Sequence, residues 1–253
     1  MQITTIPCLN DNYAYIINDQ KTGIVSVVDP SDSRPIIQYL KNNKLNLNFI
    51  FNTHHHFDHV GGNIELKKYF NSKIIGFEND KKRIPGIDLA LKDNQLFKFG
   101  SLELKLMHIP GHTIGHVCFY FKKENIIFTG DTLFSLGCGR IFEGSYEQMY
   151  SSLNKIKNLS KDTKIYCGHE YTLKNSEFCK KIDPKNTNLD KKILEIKSKI
   201  QKNLPTVPSI LKDELNCNVF LRCDDEDIKS SLNKKGSNSI EIFSKLRDLK
   251  DNF

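Results

Sequence analysis

Residues 53–62 read Thr-His-His-His-Phe-Asp-His-Val-Gly-Gly and crowd four imidazoles and one carboxylate into positions 54–59. Imidazoles repel one another when protonated, and a carboxylate is costly to bury without a partner. A fold that keeps such a run ordered has to supply something that holds the groups together, and nitrogen and carboxylate donors suit a divalent cation. The run follows an apolar strand pattern, Leu-Asn-Phe-Ile-Phe-Asn-Thr-His (47–54). Alternate side chains of an extended segment share a face. His54 and His56 are therefore expected on one side and His55 on the other, with Asp58 and His59 at the turn into a helix, placed to serve a second position.

The remaining histidines extend the pattern. All eight lie between 54 and 169, and outside the first cluster three sit beside glycine at strand ends: His112 and His116 in Pro-Gly-His-Thr-Ile-Gly-His, and His169 in Tyr-Cys-Gly-His-Glu-Tyr. Asp131 occupies a similar setting in Phe-Thr-Gly-Asp-Thr. Loops at strand ends are where ligands gather, and glycine lets backbone approach closely. Each of these short motifs alone is an ordinary turn; as an ordered set they point to a metal site. The seven cysteines are an odd number with no Cys-x-x-Cys pair, which excludes a thiolate zinc site and a disulfide framework and predicts buried reduced thiols.

Secondary-structure patterning places these residues on an α/β scaffold. Strands are predicted at 14–19, 23–28, 47–54, 71–78, several between 87 and 109, then 116–121, 125–134 and 164–170; helices are predicted around 34–43, 60–70 and 147–159. Within 60–70 the helical spacing of Ile64, Leu66, Tyr69 and Phe70 predicts the apolar face. Asp29, in Asp-Pro-Ser-Asp, reads either as a turn former or as a residue that supports the site. Strands mixed with amphipathic helices imply sheets covered by helices. Beyond residue 172 only helical periodicity is read, over 193–204, 209–215 and 239–253.

Composition bounds the rest. With 253 residues, 38% hydrophobic and 26% charged, the chain has a core of ordinary size. No apolar run reaches the roughly 18 residues of a membrane span, and the N-terminus has no basic-then-apolar signal pattern; a cytoplasmic protein is expected. The net charge of +7 comes from Lys/Asn-rich stretches and reads as solvated surface more than as a nucleic-acid footprint.

His-x-His-x-Asp-His followed in order by Gly-His-Thr, Gly-Asp-Thr and Gly-His resembles the metallo-β-lactamase superfamily. Over nearly the whole chain the segments THHHFDHVGGN, PGHTIGH, FTGDTLFSLGCGRIFEG, YCGHEYT, PTVPSIL and RDLKDNF resemble the glyoxalase II, or hydroxyacylglutathione hydrolase, family. The resemblance implies an αββα metallo-β-lactamase-like sandwich over residues 1–171 and a helical glutathione-binding domain over 172–253. It implies two divalent metal ions, zinc first and iron or manganese as alternatives: His54, His56 and His112 on one, Asp58, His59 and His169 on the other, and Asp131 bridging, with Asp58 and Asp131 serving catalysis. It implies glutathione contacts by Arg140, Phe142, Tyr171, Arg247 and Lys250, where Arg forks suit the two carboxylates of glutathione. Phe142 departs from the tyrosine some members carry, and Val219 from a common proline. The implied activity is hydrolysis of S-(2-hydroxyacyl)glutathione thioesters, chiefly S-D-lactoylglutathione, by a monomer with no nucleic-acid or membrane partner. An iron-dependent persulfide dioxygenase and a metal-dependent nuclease of the same superfamily are the competing expectations, and a binding module with an incomplete metal set is a third.

Overall fold

The computed structural model describes residues 1–253, which divide into two compact units, residues 1–108 with 115–130 and residues 109–114 with 131–253. In the first unit β1 (Gln2–Cys8), β2 (Asn12–Asp19) and β3 (Ile24–Val28) form an antiparallel meander. α1 (Ser33–Asn42) then returns the chain so that β4 (Phe49–Phe51) pairs parallel with β3. Asp32 starts that helix by accepting a hydrogen bond from the Arg34 amide, an N-cap of the usual kind. α2 (Phe57–Val60) and α3 (Asn63–Phe70) lead to β5 (Lys73–Phe77), and β6 (Leu89–Leu91) completes a six-stranded sheet. β7 (Leu96–Phe99), β8 (Leu102–His108), β9 (Val117–Phe121) and β10 (Ile126–Gly130) form an antiparallel second sheet.

The period-two alternation of β4 explains how these sheets pack. Ile50 turns toward the helices and joins a core of Val25, Val27, Ile36, Leu40, Leu66 and Ile74. Phe49 and Phe51 turn the other way and meet Phe97, Phe99 and Phe119 of the second sheet, with ring centroids 5.2–6.0 Å apart. Sheet faces sheet across aromatic rings, as the expected sandwich requires. The predicted apolar face of α3 is narrower than its spacing indicates: Leu66 is fully buried, whereas Ile64 and Tyr69 are 54% and 52% exposed. The Tyr69 ring instead lies under the Lys41 ammonium, 4.8 Å from its centroid.

The second unit carries a short ribbon, β11 (Leu133–Phe134) and β12 (Gly137–Cys138), then α4 (Tyr146–Lys157) and β13 (Lys164–Cys167). α4 begins with a capping box between Ser145 and Gln148. The helical tail follows as α5 (Thr172–Ile182), α6 (Thr187–Gln201), α7 (Leu211–Cys217), α8 (Glu226–Ser231) and α9 (Ser239–Asp251). One strand interrupts it where sequence predicts helices alone: β14 (Ser209–Ile210) pairs antiparallel with β13, Ser209 opposite Ile165. Two residues are too few to leave a readable alternation.

The ribbon is tied to the tail by side chains that satisfy its backbone. Glu214 accepts from the Leu136 amide at 2.8 Å, Asn218 donates to the Gly137 carbonyl at 3.1 Å, and Asn175 donates to the Ser135 carbonyl at 3.1 Å. Leu136 has φ +58, so the turn that these contacts hold is one a free loop populates rarely. No helix of the chain is long and apolar enough to cross a membrane.

Candidate metal centre

In the first unit β4 ends at Phe51, three residues before His54, so the histidine run sits on a loop and on α2. His54 Nε2 and His56 Nδ1 are nevertheless 3.1 Å apart, while His55 turns to Asp80, with Nδ1 3.3 Å from Oδ2. The His54 ring lies 4.2 Å from that of His59 and stacks on His116 at 4.6 Å. His54, His59 and His116 are all buried.

Asp29 organises this half. It accepts from the Thr53 amide at 2.8 Å and the Thr53 hydroxyl at 2.6 Å, and its Oδ2 is 3.1 Å from His59 Nδ1. A carboxylate on one ring nitrogen fixes the tautomer and turns the other nitrogen toward a cation. His59 Nε2 accordingly faces Asp58, 3.6 Å from its Oδ2. Asp29, His54 and His59 offer donor atoms within 4.8 Å of one another; because Asp29 already serves Thr53 and His59 Nδ1, it reads as the group that orients His59. Asn12 donates to Asp58 twice, at 3.0 Å to Oδ2 and at 3.0 Å to the carbonyl. Gly130 closes the floor at φ +48: a Cβ there would stand 2.4 Å from the Thr53 hydroxyl and 2.8 Å from His116 Nε2. Only glycine fits.

In the second unit His112, Asp131 and His169 come together, all buried. His112 Nδ1 donates to the Arg140 carbonyl at 2.7 Å. That assigns the proton to Nδ1, and Nε2 stands 3.6 Å from Asp131 Oδ2. His169 Nε2 is 3.1 Å from the same oxygen. One Asp131 oxygen thus faces an imidazole nitrogen of each histidine. The donors of both halves are imidazole nitrogen and carboxylate oxygen with no thiol among them, a set that fits zinc, iron or manganese.

The remaining site residues also lie in the second unit. Phe142 is 60% exposed, and its ring packs edge-on against His112 at 5.2 Å. Tyr171 stacks on His169 at 4.7 Å with rings 4° from parallel. The Arg140 side chain is 55% exposed. Arg247 is buried; it donates to the Cys138 carbonyl at 2.7 Å and to Asp251 at 2.9 Å. Its guanidinium therefore braces the chain just before Arg140. Lys250 is half-buried, with its ammonium over the Phe178 and Phe253 rings at 5.3 and 5.0 Å. Burial and then the nearby Arg247 charge pull its pKa down to about 8.

Asn12, Asp80 and Asp251 carry contacts at or beside the site that sequence spacing does not announce: each is a polar residue in a polar stretch. All seven cysteines are buried thiols outside any disulfide. Burial pushes the Cys138 thiol up to about 11 and the Cys167 thiol up to about 12, so neither supplies a thiolate at neutral pH.

Comparison with known proteins agrees with this geometry. The family description "Metallo-beta-lactamase superfamily" matches residues 10–169, and "Hydroxyacylglutathione hydrolase C-terminus" matches residues 170–253. The hydroxyacylglutathione hydrolase of Pelagibacter ubique (strain HTCC1062) is 54% identical over 253 residues, 100% of both chains. That of Methylococcus capsulatus (strain ATCC 33009 / NCIMB 11132 / Bath) is 43% identical over 253 residues, 100% of this chain and 99% of the relative. The crystal structure of ETHE1 from Myxococcus xanthus superposes with a TM-score of 0.70 at 20% identity, covering 98% of this chain and 91% of that one, a likeness of fold alone. The chain belongs to the hydroxyacylglutathione hydrolase family of the metallo-β-lactamase superfamily.

Proposed function

We propose that this chain hydrolyses S-(2-hydroxyacyl)glutathione thioesters, chiefly S-D-lactoylglutathione, to glutathione and the hydroxy acid, a step of methylglyoxal detoxification. The observation that carries the reading is similarity along the full length, including residues 170–253, to enzymes named for that reaction. In the proposed centre His54, His56 and His112 hold one ion, Asp58, His59 and His169 hold a second, and Asp131 serves both. These triads have the His and carboxylate composition of a metal site, and zinc is the metal proposed. Bound there, divalent cations supply Lewis acidity and lower the pKa of water from 15.7 to about 7.

The chain's own residues do the rest. Asp29 and the Arg140 carbonyl fix the His59 and His112 rings through their Nδ1 atoms, which sets the direction of the donor nitrogens. The Asn12 amide holds Asp58 by one oxygen and gives it a defined orientation toward the reacting centre. The leaving thiolate has a pKa near 8.5 and departs with little help from an acid; the absence of an acid role among the named residues is consistent with that. Arg140, Phe142, Tyr171, Arg247 and Lys250 form the proposed glutathione contacts, with residues 172–253 as the substrate-binding domain and 1–171 as the catalytic one. Buried reduced cysteines support a cytoplasmic setting, and a monomer is proposed.

The test is hydrolysis of S-D-lactoylglutathione by purified protein under anaerobic conditions, paired with elemental analysis. Oxygen-independent release of glutathione with about two metal equivalents supports the reading. Turnover that requires oxygen identifies a dioxygenase instead, and salt-sensitive cleavage of nucleic acid without thioesterase activity identifies a nuclease.

A further inference from the structure

Arg140 and Arg247 both donate to a single carboxylate, that of Asp251. Asp251 Oδ1 accepts from Arg247 Nη2 at 2.9 Å and from Arg140 Nε at 3.2 Å, and the Asp251 carbonyl accepts from Arg140 Nη2 at 3.4 Å. The two guanidinia differ in setting. Arg247 is buried with its Nη1 on the Cys138 carbonyl, so it is fixed; the Arg140 side chain is 55% exposed and its guanidinium bonds Asp251.

Guanidinium has two edges that take a carboxylate side by side: the Nε–Nη2 edge and the Nη1–Nη2 end. Asp251 occupies the first edge of Arg140 and leaves Nη1 of the end-on edge to a ligand. An exposed arginine otherwise has to give up rotamer freedom when it meets an anion. Here α9 has ordered it in advance through Asp251, which is itself held by the buried Arg247 four residues earlier on the same helix.

We propose that Asp251 is a positioning residue for substrate recognition: it orients Arg140 so that the end-on guanidinium edge receives a carboxylate of the glutathione moiety. The inference rests on the proposed thioesterase function. It also gives the buried Arg247 a second part in binding, because Arg247 anchors Asp251.

The test compares Asp251→Asn and Asp251→Glu with the wild type in steady-state hydrolysis of S-D-lactoylglutathione. Asp251→Asn is expected to raise KM by about tenfold while kcat stays within about twofold, the pattern of lost uniform binding, and Asp251→Glu is expected to recover part of the loss. A double-mutant cycle with Arg140→Ala adds a readout that a structural role does not move: in the Arg140→Ala background the KM effect of Asp251→Asn should largely vanish. Additive effects in the cycle, an unchanged KM in both variants, or a KM that falls because Asp251 was competing with substrate would each overturn the proposal. A variant with a lowered melting temperature is judged by the cycle and by Asp251→Glu. Absence of wild-type thioesterase activity would overturn the function itself, a result separate from all of these.

Discussion

Asp29 adopts φ +49, a region that non-glycine residues seldom occupy, and from there its carboxylate reaches both the Thr53 backbone and the His59 ring. A residue so placed orients a donor, and losing such a partner typically lowers metal affinity about 10–100-fold. Asp29→Asn is therefore expected to weaken metal retention by that order against a competing chelator while the protein stays folded; unchanged affinity would show that His59 needs no such guide. The position also marks a limit of sequence reading. In Asp-Pro-Ser-Asp an aspartate is explained equally well by the turn, and only the folded chain brings it to a histidine thirty residues later. His54, His56 and His59 were legible because their spacing is local, whereas Asn12 reaches Asp58 across 46 positions from a stretch of unremarkable polar residues. Lys250 gives a second residue-scale expectation. With its pKa near 8 against an ordinary 10.5, it carries its charge below pH 8 and loses it above, so KM for the anionic thioester should rise as pH passes about 8, and Lys250→Met should lack that rise. The stability sign is separate: between about 8 and 10.5 the unfolded chain binds more protons, so Lys250 makes stability increase with pH across that window. A KM profile identical in wild type and variant would remove Lys250 from substrate binding.

At the scale of elements, helices with a strong local period were readable and short strands were not. α4 and α9 declare themselves through apolar spacing, and the Ser145–Gln148 capping box is a start signal in plain sequence. β11, β12 and β14 have two residues each; they exist because distant partners satisfy their backbone, information that no window along the chain contains. Glu214 is the clearest such partner, fully buried on α7 and bonded to the Leu136 amide and to Asn218 at 3.0 Å. Burial is the first cause of its raised pKa, with the Leu136 and Asn218 bonds opposing it. The folded state thus holds a proton that the unfolded state releases near 4.5, and stability from this group is present below that value and lost as pH rises through the folded pKa. Glu214→Gln should flatten that part of the stability-versus-pH curve relative to wild type, measured by denaturant unfolding from about pH 4 upward. Parallel curves for the two proteins would mean that the ribbon does not depend on the protonation of Glu214.

For the whole molecule, the proposed ligand sets comprise four donors from residues 54–59 together with His112, Asp131 and His169. Ions held by both sets bind the native chain and not the unfolded one, so their binding free energy becomes folding free energy. At a free metal concentration 100 times Kd each ion adds about 2.7 kcal/mol, which for a chain of this length moves Tm by on the order of 5–10 °C per ion. Chelation should lower Tm by that amount, readdition of zinc should restore it, and Asp131→Ala should lose most of the increment together with turnover. The aromatic interface of the sandwich and the core around Val25 and Ile74 contain none of the seven proposed donors; the chelated protein should therefore keep its secondary structure and melt cooperatively at the lower temperature. A Tm indifferent to chelation, in a protein shown by elemental analysis to have lost its metal, would mean that the seven donors do not act on shared ions.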